Sequence, residues 1–177
     1  MKEFEQDNVF ETARLKVRRL KEFDLIPFHE MQGDLEVMQY VAKKANTLKE
    51  DEKDLKEVIE AYAKDGNEFW VWAIDEKKSS QMLGTLALVK DKEDNWEIGY
   101  RFIHKHWGNG YATEVVGGML EWCESISEID NLIAYADLRN VASQRVLSKV
   151  GFVNLGIKYN DEDDCEDYIY SASTTSY

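Results

Sequence analysis

Between His106 and Val116 the chain reads HWGNGYATEVV, which sets Gly108 and Gly110 between a strand-like run and a long amphipathic helix pattern. Glycine takes backbone conformations that a Cβ disfavours and lets a ligand come close to the main chain. The first turn of a helix points unpaired N–H groups and the positive end of its dipole at the same spot. The chemistry that suits these residues is capture of a phosphate or pyrophosphate; the same spacing also serves a plain strand-to-helix turn. Two familiar phosphate motifs are absent. A P-loop needs Lys and then Ser or Thr after its last glycine, where this chain has Tyr111 and Ala112. A dinucleotide fingerprint needs Gly or Ala at position 113 and a βαβ setting, whereas Thr113 stands there and the strands before it read as a meander.

Two further segments carry polar groups in suggestive places. Asn140–Phe152 reads NVASQRVLSKVGF, in which Asn140 is a natural N-cap and Ser143 its third-position companion at a helix start. Trp96–Phe102 reads WEIGYRF, a strand with Glu97 in its middle, a residue that by pattern alone faces solvent.

Taken in order, and with TARLKVRRL at Thr12–Leu20 and DYIYSAS near the end, these segments resemble the GNAT N-acetyltransferase superfamily. Within it they are most similar to the RimJ/RimL-like branch of ribosomal-protein N-terminal acetyltransferases, and the resemblance covers nearly the whole chain. The family loop reads Gln or Arg, two residues, Gly, one residue, Gly or Ala, which falls on Trp107, Gly110 and Ala112. Trp107 departs from that pattern, but tryptophan before GxGYA is typical of the RimJ/RimL-like branch. The resemblance implies acetyl-CoA as cosubstrate, its pyrophosphate held by Trp107, Gly108, Asn109, Gly110, Tyr111, Ala112 and Thr113. It implies pantetheine along the backbone of Phe102, Ile103 and His104 and against Asn140. It also implies Glu97 as general base for the acceptor and Ser143 as proton donor to the departing thiolate. The implied reaction moves acetyl to a primary amine, a protein N-terminal amine or a small cationic, polyamine-like one, by direct attack in a ternary complex. The alternative is a CoA-binding sensor or interaction module without turnover. No metal is expected, since His104 and His106 beside the cradle lack a neighbouring Cys or carboxylate partner.

Length and composition bound these readings. At 177 residues the chain fits a single domain, residues 1–177, able to bury one core. A net charge of −13 with no basic stripe excludes direct nucleic-acid binding and favours cationic partners or plain solubility. No apolar run approaches a membrane span and MKEFEQDNVF is too charged for a signal peptide, so the expectation is a soluble cytoplasmic protein, monomer or homodimer. Cys123 lies on an apolar helix face, far from Cys165, so neither a disulfide framework nor a zinc site is expected.

The elements that must position these groups follow from periodicity. Leu15 and Val17 alternate with Arg14, Lys16 and Arg18 as a short strand. A helix capped by Asp24 runs through Phe28, Met31, Leu35 and Met38, and a second spans Glu50 to Lys64 with Gly66 as its stop. Strands follow at Phe69–Asp75, Met82–Lys90 and Trp96–Ile103, then a broad-faced helix from Tyr111 to about Ser127. A strand at Leu132–Asp137, a helix at Val141–Val150 and a hairpin of Phe152–Tyr159 with Asp167–Ser173 close the chain. The class is α+β in the order βααβββαβαββ, about seven strands and about four helices. The resemblance implies a mixed, mostly antiparallel sheet splayed between its fourth and fifth strands. Six carboxylates crowd Asn160 to Asp167, a solvated loop or a lure for a cationic acceptor.

Overall fold

A computed structural model describes residue 4 and residues 6–126, 129–160 and 165–174. Leu15 and Val17 are fully buried on β2 (Leu15–Arg19), which pairs antiparallel with β3 (Phe69–Glu76). On its other edge lies β1 (Asn8–Glu11), a strand that the sequence pattern did not show. The meander continues through β4 (Met82–Lys90) and β5 (Trp96–Phe102). β6 (Asn131–Asp137), β7 (Val153–Asn160) and β8 (Cys165–Ser173) complete one sheet in the order β1-β2-β3-β4-β5-β6-β8-β7. Among the described residues the strands thus number eight rather than about seven, and all neighbours run antiparallel except β5 and β6.

Among the described residues there are five α-helices rather than four. The helix expected from Asp24 to Met38 divides at Gly33 into α1 (Leu25–Gln32) and the single turn α2 (Leu35–Met38). Asp34 causes the restart: its side chain accepts from Glu36 N at 2.9 Å and so begins a new helix. α3 (Leu48–Ala61) starts before Glu50 because Thr47 and Glu50 form a reciprocal capping box. α4 (Tyr111–Cys123) and α5 (Val141–Lys149) sit near their expected places, α4 ending earlier than expected.

Helices cover both faces of the sheet. α4 lays Val115, Val116, Met119 and Cys123, all fully buried, against Leu15, Val17, Trp72 and Ile98. Each such aliphatic side chain contributes roughly 1.5–3 kcal/mol on burial. Phe4 joins this core, stacked on Trp70 at 5.2 Å and edge-on to Trp122 at 5.1 Å between centroids. On the other face α1 and α3 bring Phe28, Met31, Leu55 and Val58 onto Ala73 and Ile103. No helix among the described residues is long and apolar enough to cross a membrane.

The sheet opens at one place. β5 and β6 keep register only at Trp96 with Leu132 and Glu97 with Ile133, and then part. The gap falls between the fourth and fifth of the strands expected from sequence.

Arg18 does not face solvent as the strand alternation suggested. Its guanidinium binds Asp24 through Nη1 and Nη2 at 2.7 and 2.8 Å, and Asp75 through Nε and Nη2 at 2.6 and 3.0 Å. Asp24 stands at the N-cap position of α1, but its carboxylate is spent on Arg18 and on Lys21 N. These three side chains are 13%, 3% and 12% exposed, so the triad fastens α1 to β2 and β3 out of water. Arg18→Ala should leave two uncompensated carboxylates and lower the stability measured by urea unfolding by about 3–5 kcal/mol. A loss under about 1 kcal/mol would show the triad to be energetically idle.

Candidate active site

α4 starts at Gly110 with φ 78°, and Gly108 before it has φ 77°, the left-handed region that side chains avoid. No side chain caps α4, in contrast with α2, α3 and α5, which Asp34, Thr47 and Asn140 cap. The first amide of the helix to bond back is Glu114 N, to Gly110 O at 3.1 Å, which leaves the N–H groups of Tyr111, Ala112 and Thr113 as end donors. Asn109 shapes the loop, donating from Nδ2 to the carbonyls of His106 and Trp107 at 3.0 and 3.1 Å.

Arg14, which the sequence did not single out, braces this loop. It donates from Nη1 to Asn109 O at 3.1 Å and from Nε to Glu114 Oε2 at 2.6 Å, and its guanidinium lies 4.6 Å from the Tyr111 ring centre. Thr12 Oγ1 also donates to Glu114, at 2.6 Å, and Tyr111 donates to Glu76 at 2.8 Å. A Cβ on Gly108 would meet nothing within 4 Å and one on Gly110 only Arg14 Nη2 at 3.7 Å, so the space above the loop is open. Uncapped amides, an open cradle and a guanidinium at its rim fit a pyrophosphate.

Phe102, Ile103 and His104, expected along pantetheine, have much of their backbone engaged within the chain. Trp107 Nε1 donates to Phe102 O at 2.8 Å and Ile103 N to Leu83 O at 2.9 Å. His106 N and Trp107 N bond to the carbonyls of Ile103 and His104. The cause is the single 3-10 turn His104–His106, which consumes these carbonyls as the chain swings toward the cradle. The His104 ring tilts against Trp107 at 4.5 Å, and its Nδ1 lies 3.4 Å from Asp34, toward α2 rather than the cradle. The strand edge that faces the gap runs instead from Ile98 to Arg101.

Strand alternation turns Glu97 and Tyr100 to opposite faces of β5. Glu97 is half-buried, and burial, reinforced by the charges of Asp91 and Asp167, pushes its carboxyl up to about 7. Tyr135 stands on the same side, donating to Asp91 Oδ2 at 3.3 Å. On the other face the Tyr100 hydroxyl lies 2.9 Å from Ser143 Oγ, tying β5 to α5 beyond the point where the strands part. Burial holds the Tyr100 hydroxyl up at about 12, against the lowering effect of Ser143. Asn140 accepts from Ser143 N at 3.1 Å, so its Oδ1 caps α5 and fixes where Ser143 points. The structure therefore gathers Glu97, Ser143, Asn140 and the glycine loop around one gap, and adds Tyr100 and Arg14.

Three other groups carry titratable or ligand-type atoms. Of the acidic segment, residues 161–164 lie outside the described residues; Glu166 and Asp167 sit in β8. Asp137, Cys165 and Asp167 bring ligand-type atoms within 4.8 Å of one another, and Asp137 is already bound by Arg139 at 2.6 and 2.8 Å. Cys123 is buried, with its thiol pushed up to about 12 by burial.

The profile of the Acetyltransferase (GNAT) domain matches residues 14–153, which include the cradle, β5 and the Asn140–Ser143 cap. The chain belongs to the GNAT acetyltransferase family. This GNAT chain is 34% identical over 84 residues to the uncharacterized protein YkkB of Bacillus subtilis, spanning 46% of this chain and 49% of YkkB. The chain spans about half the length of such relatives. Among solved structures, a GNAT-family acetyltransferase from Bacillus anthracis superposes with a TM-score of 0.80 at 22% identity, over 93% of this chain and 97% of that one. RimL, a ribosomal L7/L12 α-N-protein acetyltransferase in complex with coenzyme A, gives 0.77 at 16% identity, over 92% and 95%. At such identities the likeness is one of fold.

The raised carboxyl of Glu97 has a thermodynamic signature. Its folded value of about 7 exceeds the ordinary 4.5, so the folded protein binds the proton more tightly than the unfolded chain does. Stability from this group is full below the ordinary value and is lost as pH rises through about 7. Glu97→Gln should therefore raise the melting temperature relative to wild type at pH 8 and lose that advantage at pH 4.5. An equal difference at both pH values would place the carboxylate in ordinary water.

Proposed function

We propose that this protein is an N-acetyltransferase that moves the acetyl group of acetyl-CoA to a primary amine. The observation that carries the proposal is the gap between β5 and β6, flanked by Glu97 on one face and by the Tyr100–Ser143 pair on the other. Acetyl-CoA supplies the activated acyl group. The amides of Gly108 to Thr113, with Arg14 at the rim, hold its pyrophosphate, and the open edge of β5 with Asn140 guides its pantetheine arm into the gap.

An alkyl ammonium must lose a proton before it can attack. Glu97 takes that proton, and a carboxyl near 7 is matched to the task at neutral pH. Ser143 Oγ is held by the Asn140 cap on the opposite face, where it gives a proton to the departing sulfur as the N–C bond to the acetyl group forms and the C–S bond breaks, and solvent returns a proton to the Tyr100–Ser143 pair. Burial, reinforced by Asp91 and the β8 carboxylate Asp167, keeps Glu97 from ionising too early. Acceptor classes consistent with proteins of like fold are a protein N-terminus, as for RimL, and a polyamine, as for the spermidine N-acetyltransferase SpeG.

Two outcomes test this reading. Acetyl-CoA should raise the melting temperature of the wild type, by mass action on the folded state. Gly110→Asp should abolish that shift, since it puts a side chain at φ 78° and a negative charge where the pyrophosphate rests. Equal shifts in both proteins would remove the loop from the cofactor site. With an amine acceptor, kcat/KM should rise through about pH 7, and Glu97→Gln should lose that limb and roughly 10²- to 10⁴-fold in rate, the deficit shrinking at high pH. Acetyl-CoA binding without thiol release from any amine would instead support a CoA sensor without turnover.

A further inference from the structure

On the face of β5 turned toward α1 and α3, Glu97, Gly99 and Arg101 follow one another at alternate positions. Opposite them on β4 stand Val89, Ala87 and Thr85. α1 covers only the Thr85 end, where Thr85 touches Met31; Ala87, Val89, Glu97 and Gly99 remain part-exposed. A track floored by small residues therefore runs along the strand from the carboxylate to the guanidinium, about 13 Å for four residues of rise.

At its far end Arg101 lines a cavity of about 440 Å³ with Lys44, Lys53, Glu50 and Asp54. The charges around it are spoken for. Lys44 binds Glu50 at 3.0 Å, Lys53 binds Glu57 at 3.4 Å, and Asp54 accepts from Asn46 at 3.3 Å. The fully buried Asp51 accepts from His29, Gln32 and Asn46 at 2.6, 2.9 and 2.9 Å. Arg101 alone among the cavity's cations makes no ion pair among the described residues. Its Nη1 donates to the neutral Gln32 Oε1 at 2.6 Å and meets Met38 Sδ at 3.5 Å. Withdrawal from water costs this guanidinium, as the lowering of its pKa by burial records. A cation so placed, with donors of a planar fork left over, is built to meet a carboxylate.

We infer that the acceptor carries a carboxylate several bonds from its amine, bound by Arg101 while the amine is presented to Glu97. The inference rests on the acetyl-transfer reading and narrows it: a simple polyamine, cationic at both ends, would set a second ammonium against Arg101.

The test compares acceptors of equal length by thiol release from acetyl-CoA: 6-aminohexanoate, hexylamine and 1,6-diaminohexane, with the C-terminal amide of alanyl-aspartate against that of alanyl-asparagine as the peptide arm. The wild type should favour the carboxylate-bearing member of each set by roughly 10- to 100-fold in kcat/KM, the range of a charge-assisted hydrogen bond. In Arg101→Gln, with its melting temperature and acetyl-CoA shift confirmed, that ratio should fall to near one. Arg101→Lys, which keeps the charge and loses the fork, should fall between, and it carries the test if the Gln variant does not fold. A wild-type ratio near one, or a ratio that survives in Arg101→Gln, overturns the inference and leaves the acetyl-transfer reading standing. Thiol release from none of the amines overturns both.

Discussion

Backbone N–H and C=O groups along a strand need partners, and β5 loses its parallel neighbour after Glu97. The parting of β5 and β6 is the constraint around which the remainder of the molecule is arranged. An open strand edge inside a protein is costly unless another polar chain pairs with it, so the gap selects for an extended, amide-bearing guest. The Tyr100–Ser143 contact fixes α5 across the gap, and the turn after Phe102 delivers the glycine loop and the start of α4 to its end. The strand faces then distribute the chemistry, with a carboxylate on one side and a hydroxyl pair on the other.

Charges removed from water divide into two kinds. Arg18 is matched by two carboxylates, which fastens α1 to the sheet, and Asp51 by three donors, which ties α3 to α1. Among the described residues, Glu97 and Arg101 have no opposite charge in direct contact. Full pairing stabilises structure, whereas incomplete pairing leaves a group responsive to a proton or a ligand. Burial is the first cause of the raised Glu97 carboxyl, and Asp91 and Asp167 are the two charges that add to it.

Much of the frame was legible in the sequence because it rests on local signals. The left-handed glycines, the wide apolar stripe of α4, the β3–β5 meander and the Asn140 cap all declare themselves within a few residues. β1 was not legible: four residues with one buried side chain carry too little alternation to stand out from a loop. The break at Gly33 was hidden because apolar spacing continues through it, while Asp34 restarts the helix by a side-chain bond that periodicity does not register. Arg14, Tyr100 and Arg101 escaped notice for a different reason. Their partners Glu114, Ser143 and Gln32 lie 100, 43 and 69 residues away, so only the fold reveals what they hold.

Gln32 joins two of these features. Its amide donates to Asp51 from one end and accepts from Arg101 at the other, so a half-turn of the group would set donor against donor. The orientation is thereby locked, and a neutral side chain relays the sign of a buried carboxylate to a guanidinium that never touches it. Asp51 belongs to the first turn of α3, whose start is set by Thr47 and Glu50. The capping residues of that helix consequently act as a distant gauge of where a cation stands on the central strand, and drift at Thr47 would retune the cavity without altering any residue that lines it.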